Sequence, residues 1–266
     1  MIDLHSHILP GIDDGAPDMA TAVAMAREAS ARGISRVVAT PHVDHHYDTR
    51  AATISSAVAS LNEQLTREAI PIEVLPGAEI AASRLGDLDE RELAGLGLGG
   101  GPYLLIEAPL SPIAGDFEVF LGERSSTDHR YVLAHPERSP TLQRDPERLR
   151  RLVLAGTVVS ITASSLSGRF GGAVRRFSIS LLEAGMVHNI ASDMHDLHRR
   201  PPGISEHLPA AAKALSGLEE IEHWLTCEVP AAVIAGQPVN LPPELQGIRR
   251  RSFGIRRGPR RSRDSH

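Results

Sequence analysis

Residues 1–42 have the sequence MIDLHSHILPGIDDGAPDMATAVAMAREASARGISRVVATPH and contain one complete strand–helix–strand pattern. Met1 to Leu4 and Arg36 to Thr40 are short apolar runs typical of strands, and a helical pattern lies between them. Asp18 is a suitable N-cap for that helix and Gly33 is suited to end it, because aspartate accepts from free helix N–H groups and glycine adopts left-handed conformations. This order of elements predicts a parallel βαβ unit.

The same alternation continues along the rest of the chain. Five more apolar runs are predicted strands, at residues 72–76, 103–106, 131–134, 157–162 and 187–191. The clearest further helical patterns are at residues 49–68, 146–155 and 172–184, and residues 205–236 are predicted to add two or three C-terminal helices. Seven strands that alternate with helices predict an α/β fold, and they favour a barrel over an open sheet.

Composition narrows the class of protein. The chain has 266 residues, of which 41% are hydrophobic, so it can form a full-sized core and is not a disordered chain. No apolar run reaches the roughly 18 residues of a membrane span, and the N-terminal residues do not have the pattern of a secretory signal. We therefore expect a cytoplasmic protein. The single cysteine, Cys227, cannot form an internal disulfide.

The charge is distributed unevenly along the chain. Residues 248–266 contain eight arginines and one acid, whereas residues 1–247 contain 20 basic and 32 acidic side chains. We expect residues 1–247 to form one domain and residues 248–266 to be a disordered tail, because the tail has little apolar surface to offset the entropy of ordering. The acidic body argues against a nucleic-acid groove, while the basic tail is suited to an acidic partner.

Histidines and acids cluster where the predicted strands end. His5 and His7 are two residues apart, so their imidazoles point the same way from a strand. The carboxyl ends of all strands in a parallel barrel open on one face, and side chains at these positions should therefore converge there. These positions carry five histidines, His5, His7, His42, His135 and His195, and four acids, which are Glu79, Glu107, Asp193 and one of the Asp13-Asp14 pair.

Such a cluster predicts bound metal ions. Carboxylates repel one another and buried imidazoles lose their hydration, so the cluster would be unstable alone. The mixed nitrogen and oxygen donors suit two or three ions of manganese, iron or zinc, and the lack of a thiolate argues against a structural zinc site. Clustered cations promote phosphoryl displacement. Arg138 and Arg200, close to ligands in sequence, are candidates for binding the phosphate oxygens.

Six motifs occur in a fixed order along the chain. They are the opening residues 1–16, Thr-Pro-His at 40–42, Gly-Ala-Glu-Ile at 77–80, Ala-His-Pro-Glu-Arg at 134–138, Ala-Ser-Asp-Met-His at 191–195 and Arg-Pro-Pro at 200–202. This set resembles the PHP (polymerase and histidinol phosphatase) superfamily of metal-dependent phosphoesterases. Over about residues 1–236, the chain is most similar to the manganese-dependent protein-tyrosine phosphatases encoded with bacterial capsule and exopolysaccharide genes.

The resemblance implies a distorted seven-stranded TIM-like (β/α)7 barrel with a three-metal site. In that family pattern His5, His7, Glu79 and Asp193 would hold one ion, Glu79, Glu107 and His135 a second, and Asp14, His42 and His195 the third. Arg138 and Arg200 match phosphate-binding arginines. The implied reaction is hydrolysis of phosphotyrosine in proteins by a metal-bridging hydroxide, without a phosphocysteine. The implied substrate is a bacterial tyrosine autokinase that controls polysaccharide synthesis and export.

Some positions depart from the family pattern or leave alternatives open. Ser160-Ile161-Thr162 stands where many relatives have Gln-x-Asn or Gln-x-Thr, which puts the lining of the site in doubt. We expect Asp13 to orient the ligand loop rather than to bind metal. Two other functions remain: another PHP phosphoesterase, such as a histidinol-phosphate phosphatase, a nucleotide phosphatase or a nuclease, and a non-catalytic metal-binding partner protein.

Overall fold

Strands and helices alternate along the computed structural model, which describes residues 1–110, 117, 121, 129–239 and 249–250. The strands are β1 (Ile2–Ser6), β2 (Arg36–Ala39), β3 (His42–Val43), β4 (Glu73–Pro76), β5 (Glu79–Ala81), β6 (Tyr103–Glu107), β7 (Arg130–Ala134), β8 (Val158–Thr162), β9 (Asn189–Ala191), β10 (Leu215–Ser216) and β11 (Arg249–Arg250). The α-helices are α1 (Met19–Ala31), α2 (Ala51–Arg67), α3 (Glu90–Gly95), α4 (Pro140–Arg144), α5 (Pro146–Leu154), α6 (Ala163–Ser167), α7 (Gly172–Glu183), α8 (Leu208–Ala212), α9 (Leu218–His223) and α10 (Val229–Ile234).

All seven predicted strands are present, and the predicted first helix forms as α1. The Asp18 side chain accepts from Thr21 N at 2.8 Å, and Gly33 has a φ of +81°, so both helix ends form as predicted. The sequence does not predict the short helices α3, α4 and α6. Each has only five or six residues, which is too short for a helical period to stand out. The helices α8, α9 and α10 lie within residues 205–236, where two or three helices are predicted.

Nine of the described strands, β1 to β9, form two separate parallel sheets. One sheet has the order β1–β2–β4 and the other has the order β3–β5–β6–β7–β8–β9. The predicted α/β fold with parallel strands is therefore confirmed. The predicted closed barrel is not confirmed, because no single sheet includes all of the described parallel strands.

Two interruptions separate the sheets, and both lie next to predicted ligands. Pro41 lies between β2 and β3, where it has no N–H to donate to a strand ladder. Gly77 lies between β4 and β5, and a Cβ atom there would come within 2.8 Å of Val38 Cγ1. Beyond these interruptions the chain resumes as β3 and β5, in which His42 and Glu79 are paired neighbours.

The strands and helices bury one continuous apolar core. Leu4, Ile80, Leu104, Val132 and Ile161 lie on five different strands and are at most 1% exposed. Because this core fixes the strands relative to one another, it also fixes the residues that follow their carboxyl ends.

The predicted domain boundary and basic tail lie almost entirely outside the described residues. Of residues 248–266 the structure describes Arg249–Arg250, which pair with Leu215–Ser216 as an antiparallel ladder. In the part of the chain that is described, no helix is both long enough and apolar enough to span a membrane.

Candidate metal centre

The nine predicted ligands come together at the carboxyl ends of the parallel strands. His5 and His7 come from β1 and the residues after it, Glu107 ends β6, and Asp193 follows β9. The ligand atoms form four groups within which they lie no more than 4.8 Å apart: His7, Asp14, His42 and His195; His5, His7 and Asp193; His5, Glu79 and His135; and His42, Glu79 and Glu107. Every predicted ligand belongs to at least one group.

Glu79 lies at the middle of the cluster and is 1% exposed. Its Oε2 atom lies 3.1 Å from His5 Nε2. The same oxygen lies 3.3 Å from His7 Nε2 and from His42 Nδ1. On the other side of the carboxylate, His135 Nε2 lies 2.6 Å from Oε1. Donor atoms that bind one ion at about 2 Å lie roughly 3 Å from one another, so this spacing suits ions shared through Glu79.

Several buried ligand atoms have no hydrogen-bond partner among the described residues. They are His42 Nδ1, Glu79 Oε2, His135 Nδ1 and Asp193 Oδ1. A buried polar atom left without a partner costs about 1–3 kcal/mol. A divalent cation accepts lone pairs from carboxylate and neutral imidazole together, so the residues present fit a metal centre. The donor types suit manganese, iron or zinc.

The geometry divides two of the predicted ion sites: Glu79 is not in the group of His5, His7 and Asp193, and the second site is split between two groups. Glu79 and His135 belong to one group and Glu79 and Glu107 to another, so Glu107 and His135 are brought together only through Glu79. Burial and the negative charge of Glu79 raise the pKa of Glu107 to about 7. A cation beside Glu107 would offset both effects and favour its ionised form.

Two of the ligands have strained backbone conformations. The φ angle is +32° at His135 and +55° at Asp193, in the left-handed region that side chains larger than glycine disfavour. Ladder bonds hold both residues there, because His135 N donates to Ser160 O at 2.8 Å and Asp193 N donates to His5 O at 3.0 Å. Such strain is concentrated at functional sites.

Asp13 orients the first ligands, as the sequence predicts. Its Oδ2 atom accepts from His7 Nδ1 at 2.7 Å and from His42 N at 3.1 Å, and its Oδ1 atom accepts from Gly15 N at 3.0 Å. Burial opposes ionisation, but the hydrogen bond and charge of His7 hold the pKa of Asp13 well below its usual value. Gly15 is required here because any Cβ atom would overlap the carbonyl of His7.

Both predicted phosphate-binding arginines reach the cluster. Arg138 Nη1 donates to Asp193 Oδ2 at 2.7 Å, and Arg200 Nη2 contacts the same oxygen. Arg200 Nη1 also lies 2.6 Å from His195 Nε2. Although burial favours the neutral acid, His5 and the two arginines hold the pKa of Asp193 well below its usual value. Two guanidinium groups therefore lie at the ligand carboxylate.

Other residues support the cluster in ways that the sequence does not predict. Asp3 is fully buried and accepts from Ser192 N at 3.0 Å and from the Ser192 hydroxyl, which ties β1 to the segment before Asp193. Thr162 Oγ1 donates to Asp193 Oδ2 at 3.2 Å. The only signal for Asp3 in the sequence is a charged residue inside an apolar strand.

Cys227 lies away from the cluster. It lines a pocket together with Met1, Ile2 and Arg36, at the amino ends of β1 and β2. The metal ligands lie at the opposite, carboxyl ends of the strands. The position of Cys227 is therefore incompatible with nucleophilic catalysis at the cluster.

Comparison with known proteins identifies the family. The family model for capsular polysaccharide synthesis, CpsB/CapC, matches residues 1–235. The chain belongs to the CpsB/CapC family. Within this family, the tyrosine-protein phosphatase YwqE of Bacillus subtilis is 36% identical over 258 residues, which cover 96% of this chain and 100% of YwqE. The putative tyrosine-protein phosphatase CapC of Staphylococcus aureus is 30% identical over 230 residues, which cover 85% of this chain and 88% of CapC.

A solved structure from the same family agrees with the fold. It comes from the crystallographic work on YwqE from Bacillus subtilis and CpsB from Streptococcus pneumoniae, which are described as unique metal-dependent tyrosine phosphatases. The TM-score is 0.81 at 35% identity, and the match covers 91% of this chain and 98% of the other. The resemblance expected from the motifs is therefore confirmed at the level of the family and of a parallel α/β fold.

Proposed function

We propose that this CpsB/CapC family member is a metal-dependent protein-tyrosine phosphatase that acts in polysaccharide synthesis. The observation that carries the proposal is a buried cluster centred on Glu79, with Arg138 and Arg200 both at Asp193. This arrangement combines metal ligands with the guanidinium groups that phosphate oxygens prefer. The relatives YwqE and CpsB carry the name tyrosine-protein phosphatase, which supports the choice of substrate class.

We assign the nine clustered side chains as ligands of two or three ions, with manganese as the expected metal. His5, His7 and Asp193 hold one ion and Asp14, His42 and His195 another, while Glu79 and Glu107 share their ions with His135 and the neighbouring histidines. Divalent ions supply Lewis-acid charge and lower the pKa of water. The unpartnered buried donor atoms support this assignment.

The chain's own residues bind and orient the phosphoryl group. Arg138 contacts Asp193 Oδ2 through Nη1, which leaves its other N–H groups for a bidentate contact to phosphate. Arg200 contacts the same oxygen through Nη2 and His195 Nε2 through Nη1, and it adds positive charge beside that phosphate. Asp13 keeps the His7 ring oriented through Nδ1. The phenolate of tyrosine is a fair leaving group, so the reaction does not require a dedicated general acid.

The same proposal includes the distorted seven-stranded barrel implied by the resemblance. Residues 36–43 continue from β2 into β3 and residues 73–81 continue from β4 into β5, so each chain segment takes part in both sheets. His7 N donates to Met194 O at 2.9 Å, which links the end of β1 to the segment after β9. These links support a ring of strands around the ligand cluster.

A panel of phosphate monoesters tests the proposal. The manganese-loaded protein should release phosphate from a phosphotyrosine peptide, and Glu79→Gln should lose at least about 100-fold in kcat/KM because a shared ligand is removed. Glu63→Gln, on the exposed face of α2, is the matched control and should retain full activity. Preferred turnover of histidinol phosphate or a nucleotide would instead support another PHP phosphoesterase. Full metal loading without turnover of any ester would support a binding protein.

The physiological substrate follows from the same reasoning about the family. We propose a tyrosine autokinase that bears phosphotyrosine and controls polysaccharide export. Dephosphorylation of such a kinase by the manganese-loaded protein, and its loss in Glu79→Gln, would support this partner.

A further inference from the structure

Phe170 lies directly against one of the two arginines at the cluster. The guanidinium carbon of Arg138 is 4.9 Å from the centroid of the Phe170 ring, which is within the range of a cation–π contact. The same guanidinium donates to Asp193 Oδ2 at 2.7 Å. An aromatic ring is therefore separated from the ligand carboxylate by a single side chain.

Phe170 is presented by a short, well-defined turn between α6 and α7. Gly168 and Gly171 flank it, and each has a φ of +93°, which a side chain would disfavour. Gly171 N donates to Gly168 O at 3.0 Å, and Arg169 N donates to Ser164 O at 3.1 Å. These hydrogen bonds fix the turn, so the position of the ring is determined by the backbone.

The start of α6 is in turn tied to the segment that carries Arg138. Glu137 is fully buried, and its Oε1 atom accepts from Thr162 N at 2.9 Å and from Ser165 Oγ at 2.7 Å. Thr162 also donates to Asp193. The Phe170 turn and Arg138 are thus held by one network, which keeps the ring and the guanidinium in a fixed relation.

We propose that Phe170 is a specificity-determining residue that packs beside the phenyl ring of phosphotyrosine while Arg138 binds the phosphate. The inference rests on the proposed phosphatase function. In an aryl phosphate a single oxygen joins phosphorus to the ring, so a phosphate held by Arg138 brings the aryl group close to Phe170. The Phe170 side chain is only half-buried, which leaves surface for this contact. An alkyl phosphate has no ring with which to stack.

The ratio of kcat/KM for phenyl phosphate to that for glycerol phosphate measures this contact. Both esters need Arg138, so any change in the arginine affects them alike and cancels in the ratio. In Phe170→Leu we expect the ratio to fall about 3- to 10-fold, mainly through the KM for phenyl phosphate, because an aromatic pair is lost. Phe170→Met, which keeps the volume without a ring, should behave in the same way. Phe170→Tyr should restore the ratio.

Arg169→Ala is the matched control, since Arg169 is an exposed neighbour on the same turn and its replacement should leave the ratio unchanged. An unchanged ratio in the folded Phe170→Leu or Phe170→Met protein would overturn the inference. An equal loss for both esters would also overturn it, because the ring would then serve Arg138 alone. If the wild-type protein does not hydrolyse the phosphotyrosine peptide, the result contradicts the proposed function itself. If wild type is active and the ratio does not move, the inference alone fails.

Discussion

Glu79 contacts histidines from several different segments of the chain. A single carboxylate oxygen lies within 3.3 Å of nitrogen atoms from His5, His7 and His42. In the absence of a cation, three imidazoles around one buried carboxylate cannot all be satisfied by hydrogen bonds. Glu79 therefore connects two of the groups of the cluster and is suited to be a ligand common to both.

Asp13→Asn tests the positioning of His7. Asparagine can still accept a hydrogen bond from His7 Nδ1, but the negative charge that makes the imidazole a stronger donor to metal is lost. We expect metal affinity to fall about 10- to 100-fold, measured as the manganese concentration that gives half-maximal binding. Asp18→Asn is the control, because asparagine caps α1 as well as aspartate does. Equal affinities for Asp13→Asn and wild type would contradict this role.

At the residue scale, the sequence predicts which histidines and acids come together, but it does not predict the residues that support them. His5 and His7 are predictable because residues two apart on a strand share a face. Phe170 is not predictable, because nothing in the sequence distinguishes it from an ordinary core residue, and Thr162 stands out only as part of a segment that departs from the family pattern. Their contacts with Arg138 and Asp193 depend on how α6 packs, which no local pattern encodes.

At the element scale, β8 and β9 are held together beneath the site by a buried histidine. Val159 N donates to His188 Nδ1 at 3.1 Å, and the His188 ring lies near Trp224 with 6.2 Å between ring centroids. Burial lowers the pKa of His188 to about 4. The neutral imidazole is therefore the form that belongs to the folded protein, as expected for a histidine that packs rather than binds metal.

This lowered pKa predicts a loss of stability in acid. Because the unfolded chain binds a proton near pH 6.5 and the folded chain only near pH 4, stability from His188 is present above pH 6.5 and declines as the pH falls. Between pH 7 and pH 5, we expect His188 to contribute roughly 1–2 kcal/mol of the decrease in the free energy of unfolding. Denaturant unfolding of the metal-free protein at pH 7 and at pH 5 measures the decrease in the free energy of unfolding.

In His188→Gln the free energy of unfolding should decrease less between pH 7 and pH 5, since glutamine does not titrate. His198→Gln, at an exposed position, should decline as wild type does. Parallel pH dependence in wild type and His188→Gln would contradict the assignment of this stability to His188.

Elements with a strong local signal are predictable, and elements shaped by the site are not. The helix α1 forms where Asp18 and Gly33 predict it. The divided strands β2–β3 and β4–β5 were not predicted, because their interruptions at Pro41 and Gly77 depend on how neighbouring strands approach. The interruptions place His42 and Glu79 as paired neighbours, so this departure from regular structure serves the site.

At the scale of the whole molecule, the ligands join segments that are far apart in the chain. His5 Nε2 lies 3.4 Å from Asp193 Oδ1, although the two residues are near opposite ends of the described chain. Glu79 Oε1 likewise contacts His135 Nε2. A cation bound to these side chains binds only the folded state with this geometry. Metal binding should therefore stabilise the entire fold and not only the loops at the strand ends.

Removal of metal should lower the thermal midpoint of unfolding. At a free metal concentration 1,000-fold above Kd the stabilisation is about 4 kcal/mol, which corresponds to roughly 10 °C for a domain of this size. Thermal unfolding with manganese and with a chelator measures the difference. In Glu79→Gln the difference between the two thermal midpoints should be much smaller. A difference as large as in wild type would contradict the central role of Glu79.

The sequence predicts the α/β class of the fold, but it does not predict whether the strands close into one continuous barrel. Alternating strands and helices predict a parallel α/β fold because such connections leave few other topologies. Whether the strands form one continuous ladder depends on hydrogen bonds at a few positions, such as His7 to Met194. These bonds are set by tertiary packing, and neither composition nor periodicity reveals them.

The most direct test of the account is phosphate release from a phosphotyrosine peptide by metal-stripped protein, with manganese added back. Arg138→Ala is measured beside wild type. We expect manganese to restore wild-type turnover. Arg138→Ala should still bind the metal but remain at least about 100-fold slower, because a bidentate phosphate contact is lost. Inactivity of the wild type with manganese, iron and zinc alike, or full activity of Arg138→Ala, would contradict the account.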